Sequence, residues 1–330
     1  MTSNTPILKV ENLCTTFRRG GVALPAVRDV SLSVGKGEVL GLVGESGSGK
    51  SVTLRSILGL SRRYREVTGS VEWKGRNLTA MPERKLRRIR GRDIAMIFQE
   101  PMTSLNPLLT VGMQLTETLK AHTGLPRAAR RARGIEMLDH VGIPAAASRL
   151  EEYPHQFSGG MRQRVMIAIA LAAEPKLLLA DEPTTALDVT IQAQILDLIL
   201  SLADEMQMGV ILVTHDLGVV AQTCEKVAVM YAGRIVEQGA VRQILGAPRH
   251  PYTVGLMQSV PQDLPPRTPL YSVPGTPPSL EALPKGCAFA PRCQYRSETC
   301  LTARPPLEAV AHGRSAACFN PIAAERGDAA

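Results

Sequence analysis

Aromatic residues are scarce in this sequence: one Trp, six Tyr and five Phe make up 4% of its 330 residues. Arginines cluster at Arg62–Arg65, Arg84–Arg92 and Arg127–Arg133, yet no aromatic residues alternate with them, as a stacking platform for single-stranded nucleic acid requires. We therefore expect no nucleic-acid partner. The clusters are typical of solvated surfaces or of contacts with lipid or another protein.

Long hydrophobic runs are also missing. The best candidate for a membrane span, Val165–Ala180, is interrupted by Glu174, Pro175 and Lys176, whereas a membrane helix needs about 20 apolar residues. The N-terminal residues contain no basic stretch followed by an apolar one, so we expect no signal peptide. These absences predict a chain that does not itself span a membrane and that resides in the cytoplasm, where disulfides are rare.

The residues that are present predict an α/β fold. Apolar residues make up 44% of the chain, and 38 basic against 30 acidic residues give a net charge of +8, which favours anionic partners. Up to about residue 240, helix-period segments alternate with apolar runs, the pattern of a mostly parallel sheet. The runs that predict strands are Glu38–Gly44, Lys176–Ala180, Val210–Thr214 and Val227–Tyr231.

The length of the chain predicts about two domains. We place the first in residues 1–246, with a helical subdomain at about 100–165, and a C-terminal extension in residues 247–330. Eight prolines between Pro261 and Pro284 predict an extended linker, and Ala323–Ala330 are expected to fray.

A phosphate-binding loop follows the first of these strands. The stretch GESGSGKS, Gly44–Ser51, fits the pattern G-x-x-x-x-G-K-[ST] between a strand and a helix-like segment. Glycines let successive backbone N–H groups point inward, Lys50 reaches the β- and γ-phosphates, and Ser51 binds Mg²⁺. The residues predicted to contact ATP here are Gly44, Ser46, Gly47, Ser48, Gly49, Lys50, Ser51 and Val52.

Two acidic residues end a later apolar strand. In KLLLADEP, Lys176–Pro183, we expect Asp181 to hold the Mg²⁺ shell and Glu182 to polarise the attacking water. Together with the phosphate-binding loop, this strand predicts a nucleoside triphosphatase.

Three further motifs indicate which class of nucleoside triphosphatase this is. FSGGMRQR (Phe157–Arg164), TTALD (Thr184–Asp188) and VTHD (Val213–Asp216) resemble the nucleotide-binding subunits of ATP-binding cassette (ABC) transporters, over the whole chain. The resemblance implies a P-loop cassette with a mostly parallel core sheet, an antiparallel β subdomain and a helical signature subdomain. It also implies an irregular extension rich in proline and cysteine. Phe157 and Met161 depart from the commonest signature, which has Leu and Gln there.

The resemblance implies roles for individual residues. Ser158, Gly159 and Gly160 contact the γ-phosphate bound on an opposite subunit, and Asp188 lies in the loop that follows the acidic strand. Gln99 senses Mg²⁺, and His215 contacts the γ-phosphate. Phe17 packs on the adenine ring, with Val27 as a possible neighbour.

Two other segments narrow the family. QEPMTSLNPLLTVGMQL (Gln99–Leu115) and HPYTVGLMQSVP (His250–Pro261) resemble the subfamily that imports di- and oligopeptides, and in some systems nickel. The resemblance implies a paralogous ATP-binding subunit, two membrane permeases and, indirectly, an extracytoplasmic substrate-binding protein. The chain would then lie peripherally on the cytoplasmic face of the membrane.

Two rival classes remain. A soluble cassette ATPase of translation usually carries two cassettes, and one of DNA repair carries a long coiled coil before the acidic strand. This chain has one phosphate-binding loop and only a compact interval between Lys50 and Asp181. A small-molecule kinase would have no use for the Ser-Gly-Gly signature.

Four of the six cysteines lie near the C-terminus, at Cys287, Cys293, Cys300 and Cys318. Their spacing lacks the close pairs of zinc sites, and an irregular stretch with four thiolates suits a cubane iron–sulfur cluster. Iron–sulfur, zinc and no metal all remain open, while the peptide-import subfamily implies a 4Fe-4S cluster. Cys14 and Cys224 are expected to be inert core residues.

Overall fold

A computed structural model describes residues 5–60, 65–99, 104–185, 188–260 and 271–322. Much of the predicted proline-rich linker and the predicted frayed end lie outside the described residues. Within the described ranges, no helix is long and apolar enough to cross a membrane.

The elements alternate between strands and helices along the chain. The strands are β1 (Leu8–Arg19), β2 (Val22–Val34), β3 (Val39–Val43), β4 (Arg65–Trp73), β5 (Arg76–Asn77), β6 (Ile94–Ile97), β7 (Leu177–Asp181), β8 (Gly209–Thr214), β9 (Lys226–Tyr231), β10 (Arg234–Ala240), β11 (Glu308–Ala311) and β12 (Arg314–Ala316). The helices are α1 (Lys50–Ile57), α2 (Glu83–Ile89), α3 (Val111–His122), α4 (Arg127–His140), α5 (Ala146–Arg149), α6 (Gly159–Leu171), α7 (Val189–Glu205), α8 (Leu217–Thr223), α9 (Val241–Gly246), α10 (Pro251–Gln258) and α11 (Glu298–Thr302).

The chain forms two compact units. One, the P-loop unit, contains Pro6–Val34, Val39–Ala80 and Val213–Ala330. The other, the helical unit, contains Met1–Thr5, Gly35–Glu38 and Met81–Leu212. The predicted boundary between residues 246 and 247 stays a prediction.

The P-loop unit holds an antiparallel sheet with the order β2-β1-β4-β5. A second run of strands has the order β11-β12-β10-β9-β3, in which β3 pairs in parallel with β9. All five residues of β3 are buried, which explains why this strand reads as a continuous apolar run. The last two strands belong to the predicted extension, so the end of the chain pairs with β10 and completes this part of the sheet.

One hydrophobic core serves both the strands and the extension of the P-loop unit. Tyr231 at the end of β9, Tyr252 on α10 and Phe289 are all at least 96% buried. Their rings lie 4.6 to 5.5 Å apart between centroids, in tilted and edge-on arrangements that aromatic pairs favour. The extension is therefore anchored by apolar packing as well as by strand pairing.

The helical unit contains helices α2 to α7 and the strand order β8-β7-β6, with β6 and β7 parallel. The predicted apolar face of a helix between residues 191 and 202 lies on α7, where Ile195, Ile199 and Leu202 are buried. The four predicted strands are confirmed as β3, β7, β8 and β9, each within two residues of the predicted ends.

Candidate functional site

The phosphate-binding loop connects β3 to the N-terminus of α1. Gly49 is the N-cap of α1, and Lys50 is its first residue. The Lys50 ammonium donates to the carbonyl oxygens of Gly44 at 2.7 Å and Glu45 at 3.0 Å, so the side chain folds back across the loop. This arrangement places a positive charge and a helix N-terminus at the same point, which favours a phosphate group.

Two glycines of the loop are required by close backbone approaches. A Cβ atom on Gly44, whose φ is +149°, would overlap the carbonyl oxygen of Met230. A Cβ on Gly49, whose φ is +103°, would lie 2.6 Å from the carbonyl oxygen of Ala26. The loop therefore packs directly on neighbouring backbone. Of the other predicted phosphate-binding residues, Ser46 and Gly47 are exposed, Ser48 is buried, and Ser51 and Val52 are half-buried.

Phe17, the predicted adenine platform, lies on β1 and is half-buried. The guanidinium carbon of Arg65, the residue opposite it on β4, lies 5.8 Å from the centre of the Phe17 ring. Burial lowers the pKa of Arg65 to about 10, so the residue is still cationic at neutral pH. The predicted neighbour Val27 is fully buried on β2 and belongs to the core of the unit.

His215 follows β8 and is exposed. Its neighbour Asp216 caps α8 by accepting hydrogen bonds from the N–H groups of Gly218 at 2.7 Å and Val219 at 3.2 Å. His215 lines a cavity together with Gly44 and Glu45 of the phosphate-binding loop. Within the P-loop unit, the structure thus brings His215, which is predicted to contact the γ-phosphate, and the phosphate-binding loop to one cavity.

Asp181 and Glu182 lie in the helical unit, at the end of β7. Asp181 is fully buried, whereas Glu182 is half-buried and has a φ of +48°. One carboxylate oxygen of Glu182 accepts hydrogen bonds from the Gln99 amide at 3.0 Å and the Thr185 hydroxyl at 2.9 Å. The predicted base and the predicted Mg²⁺ sensor are therefore in direct contact.

The Ser-Gly-Gly signature forms the N-terminus of α6. Ser158 is the N-cap, and its hydroxyl accepts from the N–H of Met161 at 3.3 Å. Ser158 and Gly159 are exposed, and Gly160 is half-buried with its α-carbon facing Ile191. Phe157 is buried, so its departure from the commonest signature lies in the core and leaves the exposed helix N-terminus intact.

Asp188 is the exposed N-cap of α7, and its carbonyl oxygen accepts from the N–H of Gln192 at 2.8 Å. Ala186 and Leu187 of the TTALD motif lie outside the described residues.

Cys287, Cys293, Cys300 and Cys318 all line one small cavity, together with His250. All six cysteines of the chain have free thiols. Burial raises the pKa of Cys287 and Cys293 and raises that of Cys318 to about 11. Among the residues that the structure describes, no three His, Cys, Asp or Glu side chains are close enough together to hold a metal ion.

The two cysteines outside this cavity lie apart from it. Cys224 is half-buried, and burial raises its pKa to about 11, which makes it unreactive at neutral pH. Cys14 is half-buried on β1, and its sulfur accepts from the N–H of Asp29 at 3.2 Å.

Sequence reasoning missed several residues that contact the site. Thr185 holds Glu182, and buried Gln163 of α6 donates to the carbonyl oxygen of Pro183, directly after Glu182. Arg292 of the extension forms an ion pair with Glu45 of the phosphate-binding loop. Thr185 and Gln163 lie beside recognisable motifs, but Arg292 is 247 residues from Glu45 and no sequence pattern connects them.

Comparisons with known proteins agree with these features. Residues 27–185 match the family model described as ABC transporter, and residues 236–300 match the one described as the C-terminal region of oligopeptide/dipeptide transporters. The chain is 50% identical over 316 residues to the oligopeptide transport ATP-binding protein OppD of Salmonella typhimurium, covering 96% of this chain and 94% of that protein. It is 49% identical to OppD of Escherichia coli, with the same coverage.

Solved structures share the fold. A dimeric post-hydrolysis structure of the ATP-binding cassette MJ0796 with ADP and Pi is 31% identical, with a TM-score of 0.64. It covers 71% of this chain and 99% of that one. CbiO1 of Clostridium perfringens, part of an ABC transporter complex, is 28% identical with a TM-score of 0.62, covering 73% and 91%. The predicted cassette fold is confirmed.

Proposed function

Because the chain belongs to the ATP-binding proteins of the ABC transporter family, we propose that it hydrolyses ATP to power the import of di- and oligopeptides. The observation that carries the ATPase assignment is the phosphate-binding loop, in which Lys50 crosses the loop at the N-terminus of α1. The peptide cargo is supported by the match of residues 236–300 and by the names of the relatives.

In this proposal the P-loop unit binds the nucleotide. Backbone N–H groups from Gly44 to Val52 surround the β- and γ-phosphates, and Lys50 exchanges its loop carbonyl partners for phosphate oxygens. The residues that would hold the Mg²⁺ ion or its water shell, as the family resemblance implies, are Ser51, Gln99 and Asp181, and the ion would neutralise charge on the phosphates. Phe17 packs against the adenine ring with the face that Arg65 does not cover.

Glu182 is the proposed base that polarises the attacking water. Hydrogen bonds from Gln99 and Thr185 orient its carboxylate, and a carboxylate oriented in this way is suited to accept a proton from water. His215 supplies a donor to the γ-phosphate, supported by its place in one cavity with Gly44 and Glu45.

A second ATP-binding subunit completes the site. The exposed N-terminus of α6, with Ser158, Gly159 and Gly160, is free to approach the γ-phosphate held by a partner cassette. Asp188 lies exposed at the start of α7, where a partner subunit can contact it. We propose a paralogous subunit, so that the active assembly is a heterodimer of cassettes.

Membrane permeases are the other proposed partners. Leu108 and Met113, before and within α3, are 82% and 58% exposed and offer apolar surface to a partner. We assign them to contact with two permease subunits, which would hold the chain on the cytoplasmic face of the membrane. An extracytoplasmic binding protein would deliver the peptide to those permeases.

The four clustered cysteines are proposed to hold a 4Fe-4S cluster. Cys287, Cys293, Cys300 and Cys318 have free thiols around one cavity, and a cubane cluster takes four thiolates at its corners. Such a cluster would supply a covalent cross-link between two stretches of a segment that has little core of its own. Zinc and an empty site are the alternative outcomes.

Substitution of the base tests the ATPase proposal. Glu182→Gln is expected to bind ATP normally and to lose nearly all turnover, because the amide cannot polarise water. Lys50→Ala is expected to lose nucleotide binding itself. Normal hydrolysis by Glu182→Gln in the reconstituted transporter would exclude Glu182 as the base.

Transport measurements test the cargo. In vesicles with the cognate permeases, di- and oligopeptides should stimulate ATP hydrolysis and accumulate inside. If nickel or another small solute stimulates hydrolysis and peptides do not, the peptide-cargo proposal is wrong and the ATPase proposal still holds.

Metal analysis tests the cluster separately. Anaerobically purified protein is expected to contain iron and acid-labile sulfide, and Cys318→Ser is expected to lose both. A colourless protein that contains zinc or no metal would overturn the iron–sulfur proposal without affecting the ATPase.

A further inference from the structure

Arg292 of the extension contacts the phosphate-binding loop. It ends a 3-10 helix at Ala290–Arg292 and directly precedes Cys293. Its side chain is 4% exposed, and its two terminal nitrogens donate to the two carboxylate oxygens of Glu45 at 2.8 and 3.0 Å. A bidentate pair of this kind, with a buried guanidinium, fixes both distance and orientation.

The extension and the core hold the Arg292 guanidinium in place. It donates to the carbonyl oxygens of Pro274 at 2.8 Å and Val273 at 3.0 Å. Its carbon lies 5.7 Å from the centre of the Tyr231 ring and 5.8 Å from that of Phe289. These contacts hold the guanidinium in one position. Glu45 is therefore bound by a side chain whose location depends on the packing of the extension.

Glu45 in turn connects this contact to the phosphate-binding residues. Its N–H donates to the Tyr252 hydroxyl at 2.8 Å, and its carbonyl oxygen accepts from Lys50 at 3.0 Å and from the N–H of Ser48 at 3.2 Å. A shift of Glu45 therefore moves a backbone carbonyl that binds the lysine.

The charge of Glu45 also matters for ATP. A carboxylate within a phosphate-binding loop repels a triphosphate. Arg292 neutralises this carboxylate by pairing with both of its oxygens. Loss of Arg292 would thus both loosen the loop and leave an uncompensated negative charge in it.

We propose that Arg292 is a positioning residue for ATP binding: the C-terminal extension holds the phosphate-binding loop in its binding conformation through the Arg292–Glu45 pair. This inference depends on ATP binding by the chain and is independent of the cargo. It gives the extension a part in ATP binding.

A double-mutant cycle in the full transporter tests it, with KM for ATP and kcat as the readouts. Arg292→Gln should raise KM about tenfold, equivalent to ~1.4 kcal/mol, and leave kcat nearly unchanged. Glu45→Gln should raise KM less, because it removes the repulsive charge along with the pair. The double variant should have a lower KM than Arg292→Gln alone, since the second change removes the stray carboxylate.

Matched variants separate this role from general stability. Arg296→Gln makes the same change at an exposed arginine in the same segment and should leave KM unaltered. If Arg292→Gln does not fold, Arg292→Lys and Tyr252→Phe replace it. Tyr252→Phe removes only the hydroxyl that accepts from the Glu45 N–H, and should raise KM severalfold. A KM unchanged in the folded variants, or a double variant with simply additive effects, would overturn the proposal.

Discussion

At the scale of single residues, Gly44 shows how little room the phosphate-binding loop leaves. Its α-carbon faces the carbonyl oxygen of Met230 at the end of β9, and a methyl group would overlap that oxygen. Gly44→Ala is therefore expected to displace the loop and abolish ATP binding, measured as the dissociation constant for Mg-ATP.

Gly75 provides the matched control for this substitution. It also has a positive φ, +73°, but nothing lies within 4 Å of a Cβ built there. Gly75→Ala should cost only the backbone strain, about 1 kcal/mol, and keep the ATP affinity. Equal ATP affinities in the two alanine variants would show that the overlap at Met230 relaxes without moving the loop.

Residues of the site were predictable where the chemistry is local. Gly44 to Ser51 follow one another, and the spacing of Lys50 after the glycines carries its own physical meaning. Arg292 was not predictable, because its partner Glu45 depends on where the extension packs in three dimensions. Nothing in the residues around Arg292 distinguishes it from the exposed Arg296.

At the scale of elements, α6 is connected to the loop after β7. Gln163 is 2% exposed, and its side-chain amide donates to the carbonyl oxygen of Pro183, the residue after Glu182. The helix that begins with the Ser-Gly-Gly signature thus has a direct contact beside the proposed base.

Replacement of this glutamine tests the contact. Gln163→Met keeps most of the side-chain volume and leaves the Pro183 oxygen without its donor, a cost of about 1 to 3 kcal/mol for a buried group. We expect kcat to fall severalfold while KM for ATP changes little, because Glu182 lies beside the altered loop. Gln222→Met, on the exposed surface of α8, is the control and should change neither constant. A normal kcat in a destabilised Gln163→Met protein would show that Gln163 has a purely structural role.

Strands differed in how well the sequence predicted them. β3, β7 and β8 are buried throughout, as is nearly all of β9, and their apolar runs gave their positions to within two residues. β12 was not predicted: its three residues pair with β10, more than seventy positions earlier, and include an arginine. Such short strands exist because of a distant partner, so periodicity does not reveal them.

At the scale of the whole molecule, Glu237 joins the extension to the rest of the P-loop unit. It is fully buried on β10 and accepts hydrogen bonds from the N–H groups of Arg249 at 2.8 Å and His250 at 3.0 Å. The Arg314 guanidinium on β12, itself 6% exposed, also donates to it at 2.8 Å. One carboxylate therefore accepts hydrogen bonds from three residues of the C-terminal region.

Glu237→Ala is expected to lower the free energy of unfolding by about 3 to 5 kcal/mol, the usual cost of leaving one member of a buried ion pair alone. The measurement is denaturant unfolding of the intact chain. Glu308→Ala, at an exposed position on β11, is the control and should change stability by less than about 0.5 kcal/mol. Equal stabilities of the two variants would mean that apolar packing and the pairing of β12 with β10 hold the extension without Glu237.

Cys293 directly follows Arg292, so the proposed cluster and the proposed positioning of the loop meet in one segment. Loss of the cluster would free that segment and with it the guanidinium that binds Glu45.

Cys318→Ser removes a cluster ligand far from Arg292 in sequence and is expected to lose iron and to weaken ATP binding about as much as Arg292→Gln does. Combining the two changes should weaken binding no further, because both act through the same ion pair. Cys14→Ser, which changes a half-buried cysteine outside the cavity, should keep both iron and ATP affinity. If Cys318→Ser loses its iron yet binds ATP normally, packing of Phe289 and the strand pairing of β12 suffice to hold Arg292, and the cysteines have no part in nucleotide binding.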